Sequence, residues 1–152
     1  MISIFKTTRH YFFLAMISFL ALVTLSGCGK KIAQEITIRP LGNEMKFDIT
    51  EIRAKAGTYI RVIMENTANT PVMKHNVLFL INESYIDEIG KMAYDATNHI
   101  PIHNAIIAST PMAEPQTRQE VVFKVPEPGS YPYICTYPGH YVSMRGTLIS
   151  EK

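Results

Sequence analysis

The sequence predicts an all-β fold, a β-sandwich of seven or eight short strands with one short helical insert. Beyond residue 34, short segments alternate between apolar and polar residues, and turn sequences such as PLGN, KAGT, PEPG and YPG separate them. Seven or eight such segments in about 120 residues are typical of a sandwich. The candidate strands are 35–39, 45–49, 59–64, 77–81, 105–107, 121–125, 130–135 and 146–150.

One segment, residues 82–99, departs from this alternation. Its apolar residues recur at helical spacing, at Ile86, Ile89, Ala93 and Ala96. Ser84 and Asp87 are placed like a capping box at the start, whereas Gly90 weakens the helical pattern. We therefore expect a short amphipathic helix lying across the sandwich.

The N-terminal residues differ in composition from the rest. Lys6 and Arg9 precede residues 11–25, an apolar run without any charge, which is the pattern of a secretory signal peptide. A retained membrane anchor is the alternative. A run of 15 residues is, however, shorter than the roughly 20 that a helix needs to cross the hydrocarbon core of a bilayer.

The tetrapeptide LSGC, residues 25–28, resembles the lipobox of bacterial lipoproteins, in which the cysteine becomes the acylated first residue. A chance match is the alternative, but the tetrapeptide directly follows the apolar run. We expect residues 1–27 to be a lipoprotein signal peptide, residues 28–33 to be the lipidated Cys28 with a tether, and residues 34–152 to be the folded domain. The protein would then be exported and lipid-anchored at the periplasmic, or otherwise extracytoplasmic, face of a bacterial membrane.

The charge of the chain is balanced. Lys6 and Arg9 are two of the 15 basic residues, and all 13 acidic residues lie beyond position 28, so the expected mature chain carries 13 of each sign. This balance gives no support for nucleic-acid binding or for a polybasic membrane patch. If Cys28 is lipidated, Cys135 has no cysteine partner, and in an oxidising compartment we expect it to be buried or bound.

Residues 134–144, ICTYPGHYVSM, place Cys135, His140 and Met144 around a sharp Tyr-Pro-Gly turn. Thiolate and thioether favour copper, imidazole accepts Cu(I) or Cu(II), and there is no carboxylate cluster for calcium or magnesium. Two histidines and a cysteine in a plane, with an axial methionine, are the ligands of blue-copper electron-transfer sites. The loop supplies three of these four ligands.

The fourth ligand must be a second histidine from elsewhere. His10 lies in the expected signal peptide, and His99 and His103 lie in a polar loop where we expect them to be solvated. His75 stands at the mouth of an apolar strand. Alone it would be an ordinary polar residue at a strand end, but the three ligands of the loop make it the expected fourth.

The segment CTYPGHYVSMRG, residues 135–146, resembles the copper-binding loop of the azurin and auracyanin members of the cupredoxin family. The segment MKHN, residues 73–76, is similar to the family's upstream Met-Gly-His-Asn. The likeness extends over nearly all of residues 34–150. It implies a Greek-key sandwich with one type 1 copper per chain. The implied ligands are His75, Cys135 and His140 in the copper plane and Met144 on the axis.

The resemblance also implies roles for neighbouring residues. Asn76 would hydrogen-bond the cysteine loop, where Thr136 matches the family. Lys74 stands where azurins have a glycine whose carbonyl approaches copper, which leaves a fifth ligand open, and a lysine near the metal should favour Cu(I). In the family the loop histidine exposes its ring edge within an apolar docking face for a redox partner. The matching residues here are Val72, Met73, Tyr137, Pro138, Tyr141 and Val142.

These residues predict a protein that cycles Cu(I) and Cu(II) between a donor and an acceptor protein, and not an enzyme. A copper oxidase or nitrite-reductase fragment would need a second copper centre with more histidines, often in His-x-His pairs, and the sequence contains no such pair. A copper carrier or resistance lipoprotein that shuttles no electrons is the other alternative. Carriers tend to use Cys-x-x-Cys or clustered methionines, whereas the methionines here are scattered.

Overall fold

A computed structural model describes residues 29–152, of which Lys31–Lys152 form one compact unit. The predicted signal peptide and Cys28 lie outside the described residues. The strands are β1 Ile32–Ile38, β2 Glu51–Lys55, β3 Tyr59–Glu65, β4 Leu78–Leu80, β5 Ile106–Ser109, β6 Arg118–Lys124, β7 Gly129–Ile134 and β8 Arg145–Glu151.

The eight strands form two sheets. One has the order β1-β3-β6 and the other has the order β2-β8-β7-β4-β5. β1 runs parallel to β3 and β2 runs parallel to β8, while the other neighbours are antiparallel. The predicted sandwich of seven or eight strands with a short helical insert is confirmed.

The alternation of side chains along each strand places the core between the sheets. In β3, Ile60, Val62 and Met64 are fully buried, and the residues between them are half-buried. From the other sheet, Phe79 and Tyr133 pack with their ring centroids 5.3 Å apart. The period-two pattern of the sequence therefore directs these apolar side chains inward.

The predicted strand at 45–49 is wrong. This segment forms only an isolated bridge between Pro40 and Phe47, and Phe47 is a buried core residue on a turn. The second strand is instead β2, which was not among the predicted strands. Ile52 and Ala54 are its only apolar residues, both buried, and they alternate with charged residues. Two apolar positions were too few to distinguish this strand from a loop.

The insert at residues 82–99 contains a shorter helix than its apolar spacing predicts. Asn82 caps the start, because its Oδ1 accepts a hydrogen bond from the backbone N–H of Ser84 at 2.8 Å, so the predicted capping box is wrong. The helical elements of the insert are a 3₁₀ turn at Glu83–Tyr85, α1 at Ile86–Met92 and a 3₁₀ turn at Thr97–His99. Neither α1 nor any other helix of the described residues is long and apolar enough to cross a membrane.

Helix α1 covers the outer face of the second sheet. Its buried Ile86 and Ile89 pack in a second apolar cluster with Leu78, Leu80 and Ile134. Gly90 is buried in the same helix because the ring of Tyr141 lies against it. A Cβ at Gly90 would lie 2.3 Å from Cγ of Tyr141. The glycine that weakened the helical pattern is therefore what allows the helix to pack on the loop after β7.

Candidate metal centre

The four candidate ligands lie on loops and strand ends. His75 lies just before β4 and is bridged to Ala113, with its N–H donating to the Ala113 carbonyl at 3.2 Å and the Ala113 N–H donating back at 2.7 Å. Cys135 follows β7 and Met144 precedes β8, and the Cys135 N–H donates to the Met144 carbonyl at 3.0 Å. The antiparallel pairing of β7 and β8 thus places these two ligands side by side.

A tight turn brings His140 back toward Cys135. Gly139 has a φ of +83°, a left-handed conformation that glycine adopts without steric cost. The His140 N–H donates to the Tyr137 carbonyl at 2.9 Å, and the Met144 N–H donates to the His140 carbonyl at 2.8 Å. Backbone hydrogen bonds therefore hold the histidine between the other two ligands of the loop.

The donor atoms converge on one point. Sγ of Cys135 lies 3.8 Å from Nδ1 of His75 and 3.7 Å from Nδ1 of His140. The three ligand atoms all lie within 4.8 Å of one another. His75, Cys135 and Met144 are fully buried, and His140 is 4% exposed. The geometry joins the two halves of the predicted site, the loop and the distant His75.

Burial sets the protonation of these groups. It raises the pKa of the Cys135 thiol to about 12. It lowers the pKa of His75 to about 4, with a further contribution from the charge of His140, and it also lowers the pKa of His140. Near neutral pH the metal-free site therefore holds a neutral thiol and two neutral imidazoles. Two imidazole lone pairs and a soft sulfur that would lose its proton to solvent on metal binding fit a copper ion.

Acid is expected to destabilise the metal-free protein through His75. Because its pKa in the folded state is about 4, below the ordinary value of 6.5, the unfolded state binds the proton more readily. The free energy of unfolding should therefore fall as the pH decreases from about 6.5 to about 4. Urea unfolding across this range measures how steeply the free energy of unfolding depends on pH. This dependence should be weaker in His75→Gln, and an equal dependence in the two proteins would contradict the assignment of the effect to His75.

Asn76 connects the two ligand-bearing segments. Its Oδ1 accepts a hydrogen bond from the Thr136 N–H at 2.7 Å, and its Nδ2 donates to Thr136 Oγ1 at 2.8 Å. Both residues are fully buried. The carboxamide therefore fixes the segment that carries His75 to the loop that carries Cys135, which is the contact that the resemblance implies.

Replacing Asn76 with alanine should lower the free energy of unfolding by about 3 kcal/mol, because it leaves the buried N–H and hydroxyl of Thr136 without partners. Urea unfolding of the metal-free protein measures the loss. Ser109→Ala is the matched control, since Asn76 Nδ2 reaches Ser109 Oγ at a longer 3.4 Å. A loss no greater than that of the control would show that the Thr136 contact contributes little.

Lys74 does not bring an unpaired charge to the site. Its Nζ lies 2.7 Å from Oε1 of Glu114, and this carboxylate raises the pKa of Lys74. Because the pair is neutral as a whole, the expected preference for Cu(I) from Lys74 is reduced. Lys74 and Glu114 lie next to His75 and Ala113, the two residues of the bridge.

His99 is not the solvated loop residue that its sequence context predicts. Its Nδ1 lies 3.0 Å from the Ala93 carbonyl, and its ring packs edge-on against Tyr137 at 5.4 Å. Tyr137 in turn packs edge-on against His140 at 4.9 Å. His103 lies outside this group, with its Nε2 3.6 Å from Glu88. Neither histidine joins the ligands, but His99 links the insert to the copper loop.

The residues predicted to form a docking face differ in exposure. Val72 and Val142 are 63% and 64% exposed, and the other four are half-buried. Met45, which is 46% exposed, also approaches this face, although it was not predicted to do so. Its carbonyl accepts a hydrogen bond from Ser143 Oγ at 3.1 Å, next to Val142. No pattern in the sequence indicated this approach of the 41–46 turn to the copper loop.

The fold and these ligands define a class, the blue copper electron-transfer proteins, with a type 1 site formed by His75, Cys135, His140 and Met144. Residues 34–151 match the family described as copper binding proteins, plastocyanin/azurin family. The chain belongs to the plastocyanin/azurin family, so the resemblance and the copper prediction are confirmed.

Individual relatives show the same relationship. Auracyanin-A from Chloroflexus aurantiacus is 36% identical over 119 residues, which are 75% of this chain and 72% of that protein. Dithionite-reduced auracyanin from Roseiflexus castenholzii has a TM-score of 0.73 at 27% identity, covering 80% of this chain and 100% of that one. The azurin Az-iso2 from Methylomonas sp. strain J has a TM-score of 0.71 at 28% identity, covering 79% and 99%.

Proposed function

We propose that this protein is a membrane-tethered electron shuttle that takes an electron from one redox protein and delivers it to another outside the cytoplasm, without catalysing a reaction of its own. The observation that carries this proposal is the position of His140. Nδ1 of His140 lies 3.7 Å from Sγ of Cys135, the residue as a whole is 4% exposed, and the exposed Val142 follows it two positions later in the chain. A bound copper supplies the one-electron redox change.

The protein contributes rigidity to this function. Strand ends, the Ala113 bridge and the Asn76 contacts hold the ligands in the absence of a metal. A site that is already fixed changes little when its metal changes charge, which favours fast electron transfer. An exchangeable carrier site would instead benefit from mobile ligands.

The docking face suits a brief encounter with a redox protein. Val72 and Val142 are exposed and apolar, and the nearby Lys74 is paired with Glu114. A small apolar surface whose neighbouring lysine is paired allows partners to associate and separate quickly. Encounters of this type usually bury less than about 1,200 Å².

The proposed tether rests on the LSGC tetrapeptide and on the start of the fold. β1 begins at Ile32, so only residues 29–31 separate it from Cys28. Four residue steps span at most about 14 Å. With Cys28 acylated, the domain would stay next to an extracytoplasmic membrane face and meet partners there.

Replacing Val142 with glutamate is expected to slow electron exchange while leaving the copper spectrum unchanged. A negative charge on each docking face repels a second copy and interrupts the apolar contact. The probe is electron self-exchange between reduced and oxidised copies, measured by NMR line broadening, and we expect a decrease of about tenfold.

Gln34→Glu adds the same charge at an exposed position of β1 and is the matched control. If Val142→Glu and Gln34→Glu exchange electrons equally fast, the docking face is elsewhere. If the wild-type protein instead holds a colourless copper that a chelator removes readily, it is a carrier and not a shuttle.

A further inference from the structure

We propose that the end of the sandwich opposite the copper site rests on anionic lipid headgroups, so that the docking face around His140, called the His140 face below, points away from the membrane. A cluster of four lysines forms this end. The orientation of the tethered protein rests on the proposed function, whereas the affinity of the cluster for an anionic surface does not. The cluster, called the lysine pole below, consists of Lys31, Lys55, Lys124 and Lys152.

Strand pairing places Lys31 and Lys124 at the same end of the first sheet. Lys31 directly precedes Ile32, which pairs with Tyr59 at the start of β3, and Tyr59 pairs with Lys124 at the end of β6. A Cβ at Gly57 would lie 3.9 Å from Cε of Lys124. The side chain of Lys124 therefore extends over the turn that leads into β3.

The other two members come from the second sheet. Lys55, the last residue of β2, lies opposite Glu151 in the backbone register of β2 and β8, and Lys152 follows Glu151. The N–H of Ala56 donates to the Glu151 carbonyl at 2.7 Å. Since Ala56 lies in the turn between β2 and β3, this turn joins the ends of both sheets. Lysines from four separate segments of the chain thus share one end of the domain.

The copper site lies at the other end of β3. Asn66 follows β3, and its Nδ2 donates to the carbonyl of Met73 at 2.7 Å and to that of Ala113 at 3.0 Å. Ala113 is the residue bridged to His75. Six residue steps along β3, Tyr59–Glu65, separate the lysine pole from this region by about 20 Å.

The charge of the lysine pole is largely uncompensated. All four lysines are exposed, and none forms an ion pair with another residue of the described chain. Of the acidic side chains near this end, Glu151 is already bound by Arg53 at 2.9 Å and Glu35 by Arg61 at 3.2 Å, while Glu127 lies just before β7. Lys74 at the copper end, by contrast, is paired with Glu114. The overall balance of charge therefore hides a basic end.

The proposed tether and the lysine pole act at the same place. The chain enters the domain at Lys31 and Ile32, at most about 14 Å along the backbone from Cys28. Electrostatic attraction to an anionic surface extends over about 8 Å at physiological ionic strength. Lipid anchoring would hold the lysines at a distance from the membrane that is close to this electrostatic range. The attraction of the lysines to the anionic headgroups would then set which end of the domain faces the bilayer. The His140 face would meet a partner that extends well into the aqueous phase.

The affinity of the lysine pole can be tested without a lipid anchor. The fragment 29–152 contains the whole compact unit, and its co-sedimentation with vesicles is the readout. We expect it to bind phosphatidylcholine vesicles that contain phosphatidylglycerol, to ignore pure phosphatidylcholine, and to dissociate as salt is added. Since each lysine contributes about fivefold to binding an anionic surface, Lys55→Gln with Lys124→Gln should weaken partitioning about 25-fold.

Lys46→Gln with Lys91→Gln removes the same charge elsewhere and is the matched control. Both lysines are exposed and lie outside the lysine pole. Equal weakening in the two double variants, or no preference for anionic vesicles, would overturn the proposal.

The test of orientation uses the protein acylated at Cys28 on anionic vesicles. The chain has no tryptophan, so a single one reports its own depth. In metal-free protein, brominated lipids should quench the tryptophan fluorescence of Ser130→Trp, a change at the lysine pole end of β7. They should not quench the tryptophan fluorescence of Val142→Trp. Equal quenching of the two would refute the orientation even though the anchor holds. A full chain that never becomes acylated or membrane-bound would refute the tether and leave the vesicle result for the fragment intact.

Discussion

Replacing Cys135 with serine is expected to abolish the intense blue absorption of the copper-loaded protein and to weaken copper binding by more than about 100-fold. The colour requires a thiolate bound to copper, and among the described residues Cys135 is the only free cysteine. A serine hydroxyl is a harder and much weaker ligand, so His75, His140 and Met144 would hold the ion without its anionic partner. Optical and EPR spectra of fragment 29–152 measure the change.

Two controls separate ligand loss from unfolding. Circular dichroism of metal-free Cys135→Ser should show an intact fold, at a cost of about 1–3 kcal/mol for the buried hydroxyl. Ser143→Ala, an exposed change in the same loop, should keep the blue band. An unchanged spectrum in Cys135→Ser would refute the copper assignment.

Alternation predicted most strands because a sandwich buries one face of each. β3 shows this with Ile60, Val62 and Met64 buried in turn. The same rule misled at Phe47, which is buried from a turn, and it missed β2, where only Ile52 and Ala54 are apolar. Burial of a side chain and pairing of a backbone are separate facts, and a short apolar pattern reports only the first.

The ligands could be predicted because three of them lie within ten residues and their chemistry is selective. His75 was identifiable only as the missing fourth member. The packing of His99 on Tyr137 had no local signal. It depends on where the insert lies and on a left-handed backbone at Asn98 and His99, with φ of 54° and 57°. The lysine pole was equally hidden, since strand register, not composition, assembles it.

Replacing Gly146 with alanine should lower the free energy of unfolding by about 3 kcal/mol. Gly146 pairs with Tyr133 across β7 and β8, and a Cβ at Gly146 would lie 2.1 Å from Cζ of Tyr133. The ring has no room to move, because it is fully buried against Phe47 at 5.5 Å and its hydroxyl donates to the Ile49 carbonyl at 2.5 Å. Overpacking and the loss of that hydrogen bond together account for the magnitude.

Urea unfolding of Gly146→Ala should be compared with Gly129→Ala on the neighbouring strand, where the nearest atom would be the hydroxyl oxygen of the half-buried Tyr131, at a longer 3.3 Å. In a Tyr133→Leu background, which removes the clash, Gly146→Ala should cost much less. An equal cost in both backgrounds would mean that the ring is not the cause. Because the β7 and β8 register also places the Cys135 N–H on the Met144 carbonyl, displacing Tyr133 should disturb the copper site as well. Gly146 therefore matters to the copper loop through the packing that keeps two ligands side by side.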